Sequence, residues 1–314
     1  MAALWLVVAI AAVALQFSLE ARERRTIGIL ASERGIQRAA AMGALSLVQA
    51  RLDQAIRVAP SGTNPNIARL GASDAWYGVD SAYTGTVFVD SMQVYVEAHD
   101  LGEKLNINQL SENDLQTFFS FLLSDYSKAT QLAQAIMDWR DADSIPRPSG
   151  AERDAYIKAE MLALPTNAPF REVEELQDVM GMTPEIYAKA KPYFTTKGNG
   201  QVNVNTAPVP VLRALPGMND QTLNMILQLR SQGRRINNIN DVFAAQRSRQ
   251  AGGPAVTPTQ NVLATRVTTM VNVVELTITA RTGPQAPPSK LTAIVQKNGD
   301  NSPNASANIT SKQW

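Results

Sequence analysis

The stretch ALWLVVAIAAVALQFSLEAR, residues 3–22, decides the fold. No charged side chain precedes Glu20. At 1.5 Å rise per residue the first 19 residues form a helix of about 28 Å, close to the roughly 30 Å hydrocarbon core of a bilayer. A secretory signal peptide would carry basic residues ahead of the apolar run and a cleavage site with a polar break after it; neither is present. Instead Ile27, Leu30, Ile36, Leu45, Leu47, Val48, Leu52 and Ile56 continue at roughly helical spacing, with Arg and Gln between them. No proline occurs before Pro60. The expectation is one helix over residues 1–58, membrane-embedded at its start and amphipathic after residue 20. A buried core helix is the alternative.

Composition narrows the function. With 314 residues and 45% apolar content, the chain is long enough for about two domains. A net charge of +1 argues against a polybasic nucleic-acid coat protein and an acidic disordered tail. Zero cysteines exclude disulfides, thiolate zinc, iron–sulfur clusters and cysteine catalysis. A lone histidine, His99, leaves at most one imidazole, and no Ser in a G-x-S-x-G context accompanies it. At the end of a strand beside Asp100, it reads as structural. No catalytic residue is assigned.

Beyond the helix, Pro60–Asp74 reads as a linker rich in Gly, Pro, Ser and Asn. Trp76, Tyr77 and Tyr83 are expected to seat the start of the soluble part. Thr86–Asp90 and Met92–Ala98 read as short strands. Thr265–Arg281 is the strongest β segment, and Leu291–Gln296 follows it. About 145 residues of helical pattern lie between the two β regions. The fold class is therefore α+β, a helical domain inserted into a small antiparallel sheet. Residues after Asn298 are polar and expected to fray.

The insert repeats itself. Leu105-Asn-Ile-Asn matches Val202-Asn-Val-Asn, each followed by a short helix. Two stretches, residues 174–188 and 202–227, share a helix, Gly-Met turn, helix outline, the helix-hairpin-helix pattern. Such hairpins bind DNA when turn amides face a phosphate and basic residues lie close. Here the second turn glycine is Thr183 or Asn219, and Glu185 or Asp220 follows it. Arg230, Arg234 and Arg235 read as a solvated helix end. A protein-interaction scaffold is the favoured reading.

The segment Asp138-Trp-Arg-Asp-Ala-Asp-Ser-Ile-Pro-Arg-Pro-Ser-Gly-Ala-Glu152 is dense in oxygen ligands. Calcium takes six to eight oxygens from carboxylates, carbonyls and water. With Asp141 as position 1, Asp143 falls at position 3, the Arg147 carbonyl at 7 and Glu152 at 12, the EF-hand spacing. Pro146 replaces the EF-hand glycine, and Ile145 offers only a carbonyl. Asp138, one turn earlier, could join. Helix capping with salt bridges to Arg140 and Arg153 explains the same residues, and spacing alone leaves the two readings open. A carboxylate hydrolase is a remote third, since Trp139 is the only nearby aromatic platform.

Together the motifs ALWLVVAIAAVALQFSLEAR, LNINQLS, AIMDWRDADSIPRPSGAE, NAPFREVEELQDVMGMTPEIYAKAKPYFT and VNVNTAPVPVLRALPGM resemble the minor pseudopilin K family of the type II secretion system, over Met1 to about Val295. The resemblance implies a pilin helix over 1–58, a pilin-like β domain over 59–104 and 249–298, an inserted helical domain over 105–248, and a flexible tail over 299–314. It implies calcium at Asp138, Asp141, Asp143, Arg147 and Glu152. It further implies a single-pass Gram-negative inner-membrane subunit with its C-terminal domain in the periplasm. That subunit would cap the pseudopilus tip with minor pseudopilins I and J, above pseudopilins H and G, and bind no nucleic acid. Trp5 stands where most pseudopilins carry a glutamate, which suits a terminal subunit if Met1 is the processed N-terminus. A type IV pilus minor pilin is the nearest structural alternative, and a DNA-uptake protein the binding-module one.

Overall fold

The computed structural model describes residues 2–58, 74–249, 258–284, 286–298 and 306–314, without the side chains of 2–14, 58, 245–249 and 258–259. Helix α1 (Ala2–Val58) runs unbroken, as the absence of proline allows. Its side chains are all exposed from residue 15 to residue 32. From Ala40 onward Ala41, Ala44, Leu45, Val48, Leu52 and Ile56 turn one stripe inward. The small residues bring the helix close to the sheet: a Cβ at Gly43 would stand 2.8 Å from Val89 Cγ1. Among the described residues no helix is long and apolar enough to cross a membrane. Within the expected span over residues 1–19, the backbone is helical from Ala2, but the side chains before residue 15 lie outside the described ones. The linker over residues 60–73 lies outside the described residues.

That stripe packs against one face of a five-stranded antiparallel sheet. Its strands are β1 (Gly85–Val89), β2 (Met92–Asp100), β7 (Val273–Ala280), β8 (Ser289–Asn298) and β9 (Ser306–Gln313), in that order. Val94, Val96 and Ala98 of β2, Val274, Leu276 and Ile278 of β7, and Leu291, Ala293 and Val295 of β8 alternate onto the buried face. Trp76 seals the far end of this layer, its indole N–H donating to the Leu52 carbonyl at 3.0 Å.

Two expectations differ from the structure. The stretch Thr265–Arg281 is not one strand. Helix α10 (Pro258–Arg266) ends in it, the short β6 (Val267–Thr268) follows, and β7 starts only at Val273. The Thr268 hydroxyl accepts the Met270 N–H and an Asn272 amide proton, folding the chain into a turn where β propensity predicted continuation. The tail also does not fray throughout. Residues 306–313 add β9 to the open edge of β8, with a register shift at Ile294/Val295. Its Ala307 is clamped to α1, donating its N–H to Asp53 and accepting from Gln49.

Strands β2 and β7 are neighbours, yet the regular structure described between Asp100 and Val273 is mainly helical. It leaves and rejoins the sheet where Asp100 faces Val274. At the opposite end of the same strands, where Ala280 faces Ser289, Gln37 of α1 donates to Thr282 and Pro287 and accepts from Ser289. The exposed part of α1 and the insert thus depart from opposite ends of the sheet.

The insert is built on the two Asn-x-Asn repeats. Strand β3 (Leu105–Asn106) pairs in parallel with β4 (Phe194–Thr195), and β5 (Val202–Asn203) pairs in parallel with β6. Asn106 and Asn203 each accept the N–H two residues on. Asn108 and Asn205 each reach across to a distant backbone, both accepting from and donating to Phe170 or Ile236 respectively. A half-buried amide satisfied on both sides pins two segments at once.

Candidate metal centre

Helix α3 (Glu112–Leu123) starts with a Ser111/Asp114 capping box, and α4 (Tyr126–Arg140) follows after the N-cap Asp125. Their apolar faces, with Phe118, Phe119, Leu132 and Ile136, make the core of the insert. Asp138 therefore points inward on the last turn of α4, its side chain fully buried. Asp141 ends that helix, and the loop from there runs to α5 (Arg153–Lys158), with Glu152 at its N-cap position. Trp139 stacks on Phe170 at 6.2 Å and packs on Tyr156, so it belongs to the core rather than to a sugar platform.

The structure brings Asp141, Asp143 and Glu152 together: one ligand oxygen from each lies within 4.8 Å of the others. Asp138 stands apart from that group. It accepts the Arg147 backbone N–H at 3.1 Å and its guanidinium at 2.6 Å. Arg147 also enters differently from the expected carbonyl ligand, because that carbonyl accepts the Gly150 N–H at 3.0 Å. Its guanidinium instead bridges Asp138 and Asp141, at 2.5 Å from Asp141 Oδ2, with Nε 3.4 Å from Glu112 Oε2. Arg140 turns away to the carbonyls of Ile107 and Leu110, and Arg153 is exposed. The salt-bridge alternative thus holds in kind but runs through Arg147.

The charge balance of this loop is incomplete. Glu152 is 6% exposed, yet neither of its carboxylate oxygens has a hydrogen-bond partner, and neither does Asp141 Oδ1. Burial, then the charges of Asp138 and Asp141, push the Glu152 carboxyl above its usual range; the Arg153 N–H pulls it back but lies outside hydrogen-bond geometry. Buried carboxylate oxygens are rarely left without donor or metal. The donor set, three carboxylates on a bent loop, is hard-cation chemistry. These residues fit calcium.

Several supports carried no signal in the spacing. A Cβ at Gly150 would collide with the Asp138 carboxylate, so only glycine fits there. Gln134 links Glu112 to the Ser149 N–H. Asn167, in the left-handed region at φ 46°, donates to the Asp143 carbonyl. Each lies in another part of the sequence or does its work by lacking a side chain.

Other candidates resolve structurally. The His99 ring, 3.5 Å from Asp80, is about half exposed. Arg235 is not a solvated helix end: it pairs with buried Asp74 at 2.6 Å and stacks over Tyr77. Arg230 holds the carbonyls of Thr206 and Ala207. After the two Gly-Met turns, Thr183 and Asn219 already cap helices α6 (Pro184–Ala190) and α8 (Asp220–Ser231), with Glu185 and Asp220 in the first turns. A phosphate would meet carboxylates there.

Comparison with known proteins follows the same division of the chain. Family models described as type II secretion system (T2SS), protein K, match residues 103–197 and 202–266, together just over half of the chain. Each begins near one Asn-x-Asn repeat. The type II secretion system protein K of Dickeya chrysanthemi is 36% identical over 137 residues, 41% of this chain and 37% of that one. The Klebsiella pneumoniae protein is 36% identical over 85 residues, 26% of each chain, and that of Aeromonas hydrophila 28% over 165 residues, 46% and 48%. The matched stretches thus span a quarter to a half of these relatives. A chain in the crystal structure of the GspK-GspI-GspJ complex from enterotoxigenic Escherichia coli superposes with a TM-score of 0.67 at 17% identity, covering 92% of this chain and 98% of its own. That likeness is one of fold, and with the family matches it leads to one assignment: the chain belongs to the type II secretion system protein K family.

Proposed function

We propose that this chain is a non-enzymatic minor pseudopilin that sits at the tip of the type II secretion pseudopilus and helps move folded proteins out of the periplasm. The observation that carries this reading is the departure of α1 and the insert from opposite ends of the sheet. With residues 15–32 exposed on all sides, α1 offers a surface for neighbouring helices below. The insert adds bulk at the other end, where a further subunit would stack. The apolar run over residues 1–19 is assigned to the inner membrane before assembly, with the rest in the periplasm. The solved E. coli complex joins GspK to GspI and GspJ, and minor pseudopilins I and J are the partners assigned here, above H and G.

Size-exclusion chromatography of the three purified subunits tests this. A single 1:1:1 peak on mixing is expected; three separate peaks contradict it. A gel shift with salt titration adds the nucleic-acid arm, since phosphate contacts produce a steep dependence on log salt. No such shift is expected.

The loop is assigned to calcium, held by Asp141, Asp143 and Glu152 with Asp138 behind them. Its role is to tie α4 to α5 and so stiffen the insert. The two orphaned oxygens of Glu152 support this assignment.

A further inference from the structure

We propose that the Arg147 side chain is a resident counter-ion of the acidic loop, holding it folded without metal and lowering its affinity for the divalent cation. This rests on the assignment of a cation to the loop. Asp138 is fully buried, and a buried carboxylate needs a positive partner or a metal. One guanidinium serves this need for three carboxylates on two helices: Glu112 on α3, Asp138 on α4, and Asp141 at the end of α4.

The service is partial. Asp141 gives Oδ2 to Arg147, while its Oδ1 has no partner. Asp143 accepts only the Ile145 N–H, and Glu152 accepts nothing. Asp141 therefore gives one oxygen to the guanidinium while its carboxylate is also grouped with those of Asp143 and Glu152. A cation among these three carboxylates would sit close to the Arg147 charge. Repulsion at that range, in surroundings less polar than water, weakens cation binding. The arginine also makes the loop less dependent on the cation for folding. A loop with its own counter-ion tolerates passage through metal-poor conditions; a loop without one holds metal more tightly.

The test compares full-length wild type, Arg147→Gln and Arg147→Lys in detergent, by thermal melting in EDTA and by calorimetric titration with calcium chloride. Arg147→Gln is expected to melt lower in EDTA, to bind calcium about tenfold more tightly, and to recover most of its lost melting temperature in calcium. Arg147→Lys keeps the charge without the bridging fork and should fall between the two. Folding of Arg147→Gln only when calcium is present would also support the proposal. If it folds in neither buffer, Arg147→Lys decides: folding in EDTA restored by the retained charge supports the proposal, and failure to fold in both buffers overturns it. Calcium binding by wild type with unchanged affinity in Arg147→Gln overturns the counter-ion role and leaves the calcium assignment standing. No calcium binding by any variant removes both.

Discussion

The α1–sheet layer and the acidic loop of the insert are held by opposite means. In the first, Leu45, Val48, Leu52 and Ile56 meet alternating apolar residues of β2, β7 and β8, and the buried Trp76 indole has its acceptor. In the second, buried Asp138 and Glu152 sit among further carboxylates with one bridging arginine between them. Apolar packing is non-directional and indifferent to ions. Clustered buried charge depends on which counter-ion is present. The sheet layer is therefore the constant part of the molecule and the loop the conditional part.

The largest effect should come from breaking the constant part. Leu52→Ala is expected to cost about 2–5 kcal/mol, by denaturant unfolding, and equally in calcium and in EDTA. A calcium-dependent cost would mean that the two regions are not separable. Asp138→Ala strikes the conditional part and strands Arg147. It should cost about 3 kcal/mol in EDTA, with a different cost in calcium. Identical costs in both buffers would make the loop another piece of ordinary core.

The apolar layer was legible because its signal is periodic. Of the helical spacing, Leu45, Val48, Leu52 and Ile56 became a buried face while Ile27, Leu30, Ile36 and Leu47 stand exposed. The alternation in Met92–Ala98 became a buried face at Val94, Val96 and Ala98. Residues Asp141, Asp143 and Glu152 were legible by spacing, and the structure brings them together. The role of Arg147 was not, since an arginine at a loop position reads equally as a carbonyl, a surface charge or a bridge. Glu112, Gln134 and Asn167 come from other segments, which no local pattern joins. The turn at Thr268–Asn272 was hidden by the strong β propensity of its neighbours, where a side-chain hydroxyl competes for the backbone.

Between the two regions lie the Asn latches, and they set a smaller scale. Asn205→Ala leaves the backbone N–H and carbonyl of Ile236 without their partner and removes one of two donors to the Thr269 carbonyl. A loss of about 1–3 kcal/mol is expected, read as faster hydrogen exchange at Ile236. Unchanged exchange there would show that the repeat is decorative.

The smallest effect concerns the junction itself. Asp100, buried at the end of β2, accepts from Gly102, Asn203 and Thr206, and burial raises its carboxyl to about 6. Glu103 is raised to about 7 by burial and then by the charges of Asp80 and Asp100, with Lys104 and Arg230 opposing. Both pKa values are higher folded than unfolded, so the folded junction binds more protons and its stability falls as pH rises through about 6–7. Lowering pH from 8 to 5 should slow exchange at Gly102 and Thr206 beyond the intrinsic rate change. Glu103→Gln should flatten that response; a response that keeps its size would place the titrating group elsewhere.

The most direct measurement is thermal melting of the full-length protein in calcium and in EDTA, for wild type and for Asp141→Ala combined with Asp143→Ala. Ligand binding to the folded state alone raises stability by mass action. The account predicts a calcium-dependent rise in melting temperature for wild type and none for the double variant. Equal melting of wild type in both buffers, or a rise that survives the double change, would contradict it.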